Sequence, residues 1–416
     1  MDRKTLRLNL ILCSILHGLN HYLLIFYKPM YPLMAGFFGL GNVADVTTRL
    51  TLAYVGYGLA NFLTGILARR FNLKYILFGG MLLMSAATAA MALVPADAYW
   101  LFVLLAFLMG LGGGTYHPAA NTLMTALHED KHGHAIGILS IGSAVGFTAA
   151  PLLGTHLGKD LLGFQNMFLL SGAAAFIYAW VFLFLMRGVT RLERQSAPEA
   201  RPENRMTGKL LAIIIVFLAV PTVIRDIINW GYFEITPYWV QYGFSQGIGI
   251  DWVQLMAYLP GLVVQPLAGK LCDKLKPLTV VVATFALTSL GHICLGLNAP
   301  VLAWTGLSLY GVGLSGATVA NETYMASIVT ARSRGLIYGI VLSLALGVGG
   351  YLGGSSGWIV DAFGKTAPGG YRLWFIGMGL VNAAGILCYA VIEKIRKKAG
   401  GLHRTDGMES GGRIVE

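Results

Sequence analysis

Gly110-Leu-Gly-Gly-Gly-Thr-Tyr-His117-Pro-Ala-Ala-Asn121-Thr-Leu-Met124 returns 201 residues later as Gly311-Val-Gly-Leu-Ser-Gly-Ala-Thr318-Val-Ala-Asn321-Glu322-Thr-Tyr-Met325. A second pair repeats at nearly the same offset: Gly65-Ile-Leu-Ala-Arg69-Arg70 and Gly269-Lys-Leu-Cys-Asp273-Lys274. Self-similarity at a period of about 200 residues, inside apolar sequence, is the mark of a duplicated bundle of membrane helices.

The rest of the chain agrees. Of its 416 residues, 56% are hydrophobic and only 12% charged, about half the charged share of a soluble protein. Mean hydropathy is +0.66. So few charges cannot cover a soluble surface, which excludes a cytosolic enzyme, a coiled coil and a disordered chain. The apolar runs are too long for barrel strands. Twelve segments of bilayer-crossing length fall near 7–28, 49–68, 75–94, 99–125, 135–157, 165–186, 210–240, 252–271, 277–297, 301–328, 335–360 and 371–393. The expected fold is therefore an all-α membrane protein of two pseudo-symmetric six-helix bundles. They occupy 1–186 and 210–394, joined by a solvated linker at 187–209 and followed by a tail at 395–416. The basic N-terminus runs straight into the first span, which holds His17, Asn20 and His21 and no small-residue cleavage site, so it reads as a retained helix. The four cysteines are scattered through apolar spans and read as small buried hydrophobes.

Charge placement sets the orientation. The N-terminus, the loops after spans 2, 4, 6, 8 and 10, and the tail hold 24 of the 30 Lys and Arg residues; the others are Lys28, Arg49, Lys159, Arg225, Lys365 and Arg372. By the positive-inside rule both termini are cytoplasmic. The net charge of +11 is then a topology signal, not a nucleic-acid footprint.

With its twelve spans, basic linker and paired Gly65–Arg70 and Gly269–Lys274 loops, the chain resembles the major facilitator superfamily over essentially its whole length. Within that superfamily it looks most like the fosmidomycin-resistance type of efflux transporter. That likeness is carried by His17-Gly-Leu-Asn20, Tyr31-Pro32-Leu33, Tyr116-His117-Pro118, Gly142-Ser-Ala-Val-Gly146 and Pro151-Leu-Leu. The resemblance implies alternating access, a gating role for Gly65, Arg69, Arg70, Gly269, Asp273 and Lys274, and proton-driven efflux of a small polar or drug-like molecule across the inner membrane. The chain departs from the pattern at His21, Ala119 and Arg69, where that family usually carries acids.

Ionisable groups inside spans are costly and mark functional sites by default. His17, Asn20, His21 and Lys28 fall on one helical stripe that must face the bundle interior. Their bland alternative is packing for the histidines and snorkelling for Lys28. His117 and Asn121 lie one turn apart beside Pro118, which frees a backbone carbonyl. The seventh span carries Arg225, Asp226 and Asn229, with Glu234 near its outer end; adjacent side chains point about 100° apart, so Arg225 and Asp226 need not bond one another. Glu322 is either buried and protonatable or at the surface near Arg332 and Arg334. His292 reads as structural, and His128, His132 and His134 as loop residues.

These readings give a substrate set of His17, Asn20, His21, Lys28, His117, Asn121, Arg225 and Asn229. Proton carriers are sought among Asp226, His21, Glu322 and Glu234, with Asp226 first. The solute expected is anionic or zwitterionic. The glycine-rich runs lack a phosphate-loop ending, and no nucleophile elbow or metal-protease motif is present, so no enzyme activity and no cofactor is expected. The partners are a small solute, protons and the bilayer, for a monomer. Competing readings are proton-coupled uptake of an organic anion or nutrient, a transition-metal or metal-chelate carrier using His17-x-x-x-His21, and a non-transporting receptor or lipid-embedded enzyme.

Overall fold

The computed structural model describes residues 2–41, 43–68, 70–128, 131–187, 208–243, 249–297, 299–329, 331–364 and 368–409. Among them it is helical throughout, without strands. The twelve spans are α1 (Arg3–Phe37), α2 (Thr48–Leu67), α3 (Leu73–Met91), α4 (Tyr99–Leu127), α5 (His132–Leu162), α6 (Phe164–Leu185), α7 (Leu211–Pro237), α8 (Trp252–Lys274), α9 (Pro277–Leu297), α10 (Pro300–Ile328), α11 (Ser333–Ile359) and α12 (Gly369–Lys397). Eleven are long and apolar enough to cross a bilayer. The exception is α10, a 29-residue helix whose middle carries Ser315, Thr318, Asn321, Glu322 and Thr323, all but Thr318 fully buried. Its polarity faces protein, not lipid.

Local chemistry sets the boundaries. Asp2 caps α1 by accepting the Thr5 amide at 2.8 Å, and Asn72 caps α3 by accepting that of Lys74 at 2.9 Å. Pro118 cannot donate to the turn before it, and α4 is accordingly interrupted between Gly113 and Tyr116. Wide helical turns occupy Leu153–Leu162 after Pro151 and Ser343–Gly349 in α11.

Each half packs within itself, α1 on α5 and α3 on α6 in the first, α9 on α10 and α12 in the second. The halves meet along two seams, α2 with α11 and α5 with α8. Glycine makes both seams possible. A Cβ on Gly65 would stand 2.8 Å from the Gly339 Cα, and one on Gly269 only 2.1 Å from the Gly133 carbonyl oxygen. These crossings lie at the end of the molecule where α1 begins and α6 finishes, and there Asn9 Nδ2 of α1 donates to the Arg187 carbonyl at 2.9 Å. There Asp273, at the end of α8, accepts the backbone N–H of Gly133 (2.9 Å) and His134 (2.8 Å), so one half caps a helix of the other. Arg69, its counterpart in the repeat, and the linker segment 188–207 lie outside the described residues.

At the opposite end, Lys28 of α1 pairs with Glu234 of α7, its ammonium 5.3 Å from the Phe233 ring centre. Beneath that pair, Phe147, Phe233 and Tyr258 stack with centroid separations of 5.0 to 5.8 Å. Among the described residues, the two halves therefore meet at both ends of the molecule.

Candidate functional site

Between the two closures lies a cavity of about 50 Å³, room for about three or four waters. At ~1.5 Å per residue His17 sits about 20 Å from the start of α1, and His117 about 15 Å from the end of α4. Both are thus near the middle of a ~30 Å hydrocarbon core.

The first half contributes imidazoles. His17, His21 and His117 all line the cavity and are 3%, 4% and 5% exposed. Their protons can be assigned by elimination. His17 Nδ1 lies 2.9 Å from the Leu139 carbonyl oxygen, which only accepts, so Nδ1 carries the hydrogen. In the neutral ring His17 Nε2 is then an acceptor, and His21 Nε2, 3.0 Å away, donates to it. His21 Nδ1 is left as a bare lone pair with no partner, and neither nitrogen of His117 has one. Tyr116 stacks on His17 at 4.5 Å and Phe147 on His21 at 4.4 Å, which fixes the ring planes.

The second half contributes charges. Arg225 Nε and Nη2 both donate to Asp226 Oδ1, at 2.9 and 2.7 Å. This differs from the sequence expectation of independent partners. A four-bond side chain can curl across the 100° between neighbours, and an unpaired buried charge costs several kcal/mol. Arg225 Nη1 and Asp226 Oδ2 remain unpartnered, as do Trp230 Nε1 and Gln265 Oε1, and all four residues line the cavity. Glu322 is 3% exposed, which settles its depth. Asn121 Nδ2 donates to Glu322 Oε2 at 2.8 Å, and Glu322 Oε1 stands 3.8 Å from His117 Nδ1. Asn121 and Glu322 are equivalent positions of the repeat, 201 residues apart, so their bond marks the pseudo-two-fold axis.

Of the residues singled out in sequence, His17, His21, His117, Arg225, Asp226, Asn229 and Glu322 converge on this cavity. Asn20 does not line it: its amide donates to the Gly113 carbonyl and accepts the Tyr57 hydroxyl, both at 2.8 Å. Lys28 and Glu234 form the outer pair instead. His292 packs against Tyr310, Trp374 and Phe375 outside the cavity. Phe147, Trp230, Tyr258, Gln265 and Thr318 line the cavity without having been picked out from sequence. Two of them carried a signal: Gln265 is an amide in the middle of an apolar span, and Thr318 is the repeat partner of His117.

Comparison with known proteins matches this geometry to a fold. The family model of the Major Facilitator Superfamily matches residues 10–354. The multidrug resistance protein MdtH of Salmonella arizonae is 26% identical over 347 residues, covering 79% of this chain and 80% of that protein. The multidrug resistance protein MdtG of Dickeya zeae is 28% identical over 251 residues, 58% and 59% of the two chains. Among solved structures, the proton:xylose symporter XylE superposes with a TM-score of 0.69 at 16% identity, covering 92% of this chain and 95% of that one. The human organic anion transporter MFSD10 superposes at 0.65 with 12% identity, over 93% and 100%.

Proposed function

This chain belongs to the major facilitator superfamily, and on that premise we propose that it exports a small anionic or zwitterionic solute from the cytoplasm, driven by inward proton flow. It is a transporter, multi-pass in the membrane, not an enzyme. One observation carries the solute class: the cavity between the halves presents unsatisfied groups of both kinds. Arg225 Nη1 and Trp230 Nε1 offer hydrogens, whereas Asp226 Oδ2, Gln265 Oε1 and His21 Nδ1 offer lone pairs. Each buried orphan costs about 1–3 kcal/mol, a debt that a carboxylate facing Arg225 and an ammonium facing Asp226 would cancel.

The proton carrier we assign is Glu322. Asp226, first on sequence alone, gives one oxygen to two guanidinium bonds and serves to hold Arg225. Glu322 is bonded only by the neutral Asn121 amide and faces His117 across the axis, so it can change protonation without freeing a buried cation, while its pairing changes as the halves part. His21 is the second candidate. The subfamily likeness to fosmidomycin-resistance exporters rests on His17-Gly-Leu-Asn20 and Tyr116-His117-Pro118. The direction of export is supported by the multidrug relatives, and the inner-membrane location with cytoplasmic termini by the placement of Lys and Arg.

The test begins with a thermal-shift screen of purified protein against anions, zwitterions and cations. His117→Ala should weaken binding of the best hit at least ~10-fold with the fold intact, roughly the loss of one charge-assisted hydrogen bond. A screen in which only purely cationic solutes bind would contradict the assignment. Orientation is checked in intact cells: an impermeant thiol reagent should label Ala96→Cys and leave Lys276→Cys unmodified.

A further inference from the structure

The three histidines have a second property that recognition of an organic solute does not use. One ring nitrogen from each of His17, His21 and His117 can be chosen so that all three lie within 4.8 Å of one another, fully buried. A tetrahedral ion with bonds of ~2.0–2.1 Å needs its nitrogens about 3.4 Å apart, so side-chain shifts of about 1 Å close the set. The His17 Nδ1–H bond to the Leu139 carbonyl is the outer-shell contact that fixes the tautomer of a metal-bound imidazole and aims its Nε2 inward. His21 needs only to release its hydrogen bond to His17 and present a lone pair, and neither His117 nitrogen is held by a hydrogen bond, Nδ1 having only Glu322 Oε1 at 3.8 Å.

We infer that His17, His21 and His117 bind one divalent late first-row ion, such as Zn²⁺, Co²⁺ or Ni²⁺, and leave a coordination position open to the cavity for a carboxylate oxygen of the solute. Three neutral imidazoles suit these ions and not Mg²⁺ or Ca²⁺, which require oxygen ligands. Charge decides the remaining ligand. Arg225, Asp226 and Glu322 face the cluster from the second half, and with both carboxylates ionised their sum is one negative charge. A bare divalent ion would leave the site positive beside a guanidinium. A carboxylate on the fourth position restores neutrality and lies within the reach of Arg225 Nη1. The cargo class is therefore a metal–carboxylate complex. This rests on the central cavity being the transport site, and it narrows "anionic or zwitterionic" to solutes that chelate.

The experiment is a titration of purified full-length protein with Co²⁺, read by visible absorption and by equilibrium dialysis. One Co²⁺ per chain should bind with the strong d–d bands of a four- or five-coordinate site, and millimolar acetate should shift those bands by occupying the open position. His117→Ala and His21→Gln should each lower affinity at least ~10-fold. His21→Gln retains an amide that can donate to His17, so its fold is preserved. The surface variant His156→Ala should bind as wild type. Failure to retain Co²⁺, retention that survives both cluster variants, or bands indifferent to acetate would each overturn the inference. Because the readout is binding without flux, such a failure leaves the transport reading standing, and absent transport with intact Co²⁺ binding would do the reverse.

Discussion

The two halves of this transporter have the same six-helix plan and opposite chemistry. Where α4 carries His117, α10 carries Thr318; where α4 carries Asn121, α10 carries Glu322. The first half brings three neutral imidazoles to the cavity, and the second brings Arg225, Asp226 and Glu322. Duplication supplied two equivalent scaffolds, and divergence at facing positions left imidazoles on one side of the cavity and charged groups on the other. A symmetric site would place like charges opposite each other across the axis. The asymmetric one lets Asn121 donate to Glu322.

The largest effect should come from the charged side. Arg225→Met leaves Asp226 buried with no cation, a loss of about 3–5 kcal/mol. The melting temperature in detergent should fall steeply, and the double variant Arg225→Met/Asp226→Leu should recover most of it while remaining unable to transport. Equal melting of the single variant and wild type would mean that the pair is not the buried hub of its half.

Next come the two seams. Gly269→Val would drive side-chain atoms into the Gly133 carbonyl, and Gly339→Val would do the same against Gly65. Overpacking of this kind costs about 1–3 kcal/mol, and here it falls only on the state closed at the basic end. Either variant should therefore raise the labelling rate of Thr318→Cys by a permeant thiol reagent roughly 5- to 150-fold, the conversion of that energy into population. A response from one seam alone would show that the halves do not rock as matched bodies.

A smaller effect distinguishes the seams. Asp273 accepts two backbone N–H groups at the start of α5, a cap worth about 1 kcal/mol. Asp273→Ala should speed the same labelling about fivefold, and Asp273→Asn, which keeps one acceptor, by less. No change in labelling would remove Asp273 from the closure.

Much of this was legible before any coordinates. The repeat and the run of apolar segments set the twelve-helix plan, and α10 is less apolar than the other eleven in part because Ser315, Thr318 and Glu322 line the cavity. Helical spacing puts His17 and His21 on one face of α1, and helix packing brings His117 of α4 against them. Asn20 lies on that stripe, yet its amide is taken by Gly113 and Tyr57, since the outcome depends on how far α1 is rotated, which spacing does not give. Phe147, Trp230 and Tyr258 went unseen because an aromatic residue in an apolar span looks the same facing lipid or substrate. The Arg225–Asp226 bond turns on rotamers, which a helical wheel does not contain.

The central claim is that the solute binds in the cavity between the halves and that Glu322, not Asp226, is the proton carrier. Its most direct measurement is flux of the best-binding solute in proteoliposomes by Glu322→Gln, whose amide keeps the hydrogen bond with Asn121 and so preserves the fold. Accumulation against a gradient driven by a pH difference should be lost, while solute binding and counterflow exchange without a pH difference persist near wild-type levels. Full pH-driven accumulation by a well-folded Glu322→Gln protein would contradict the claim and move the proton to Asp226 or His21.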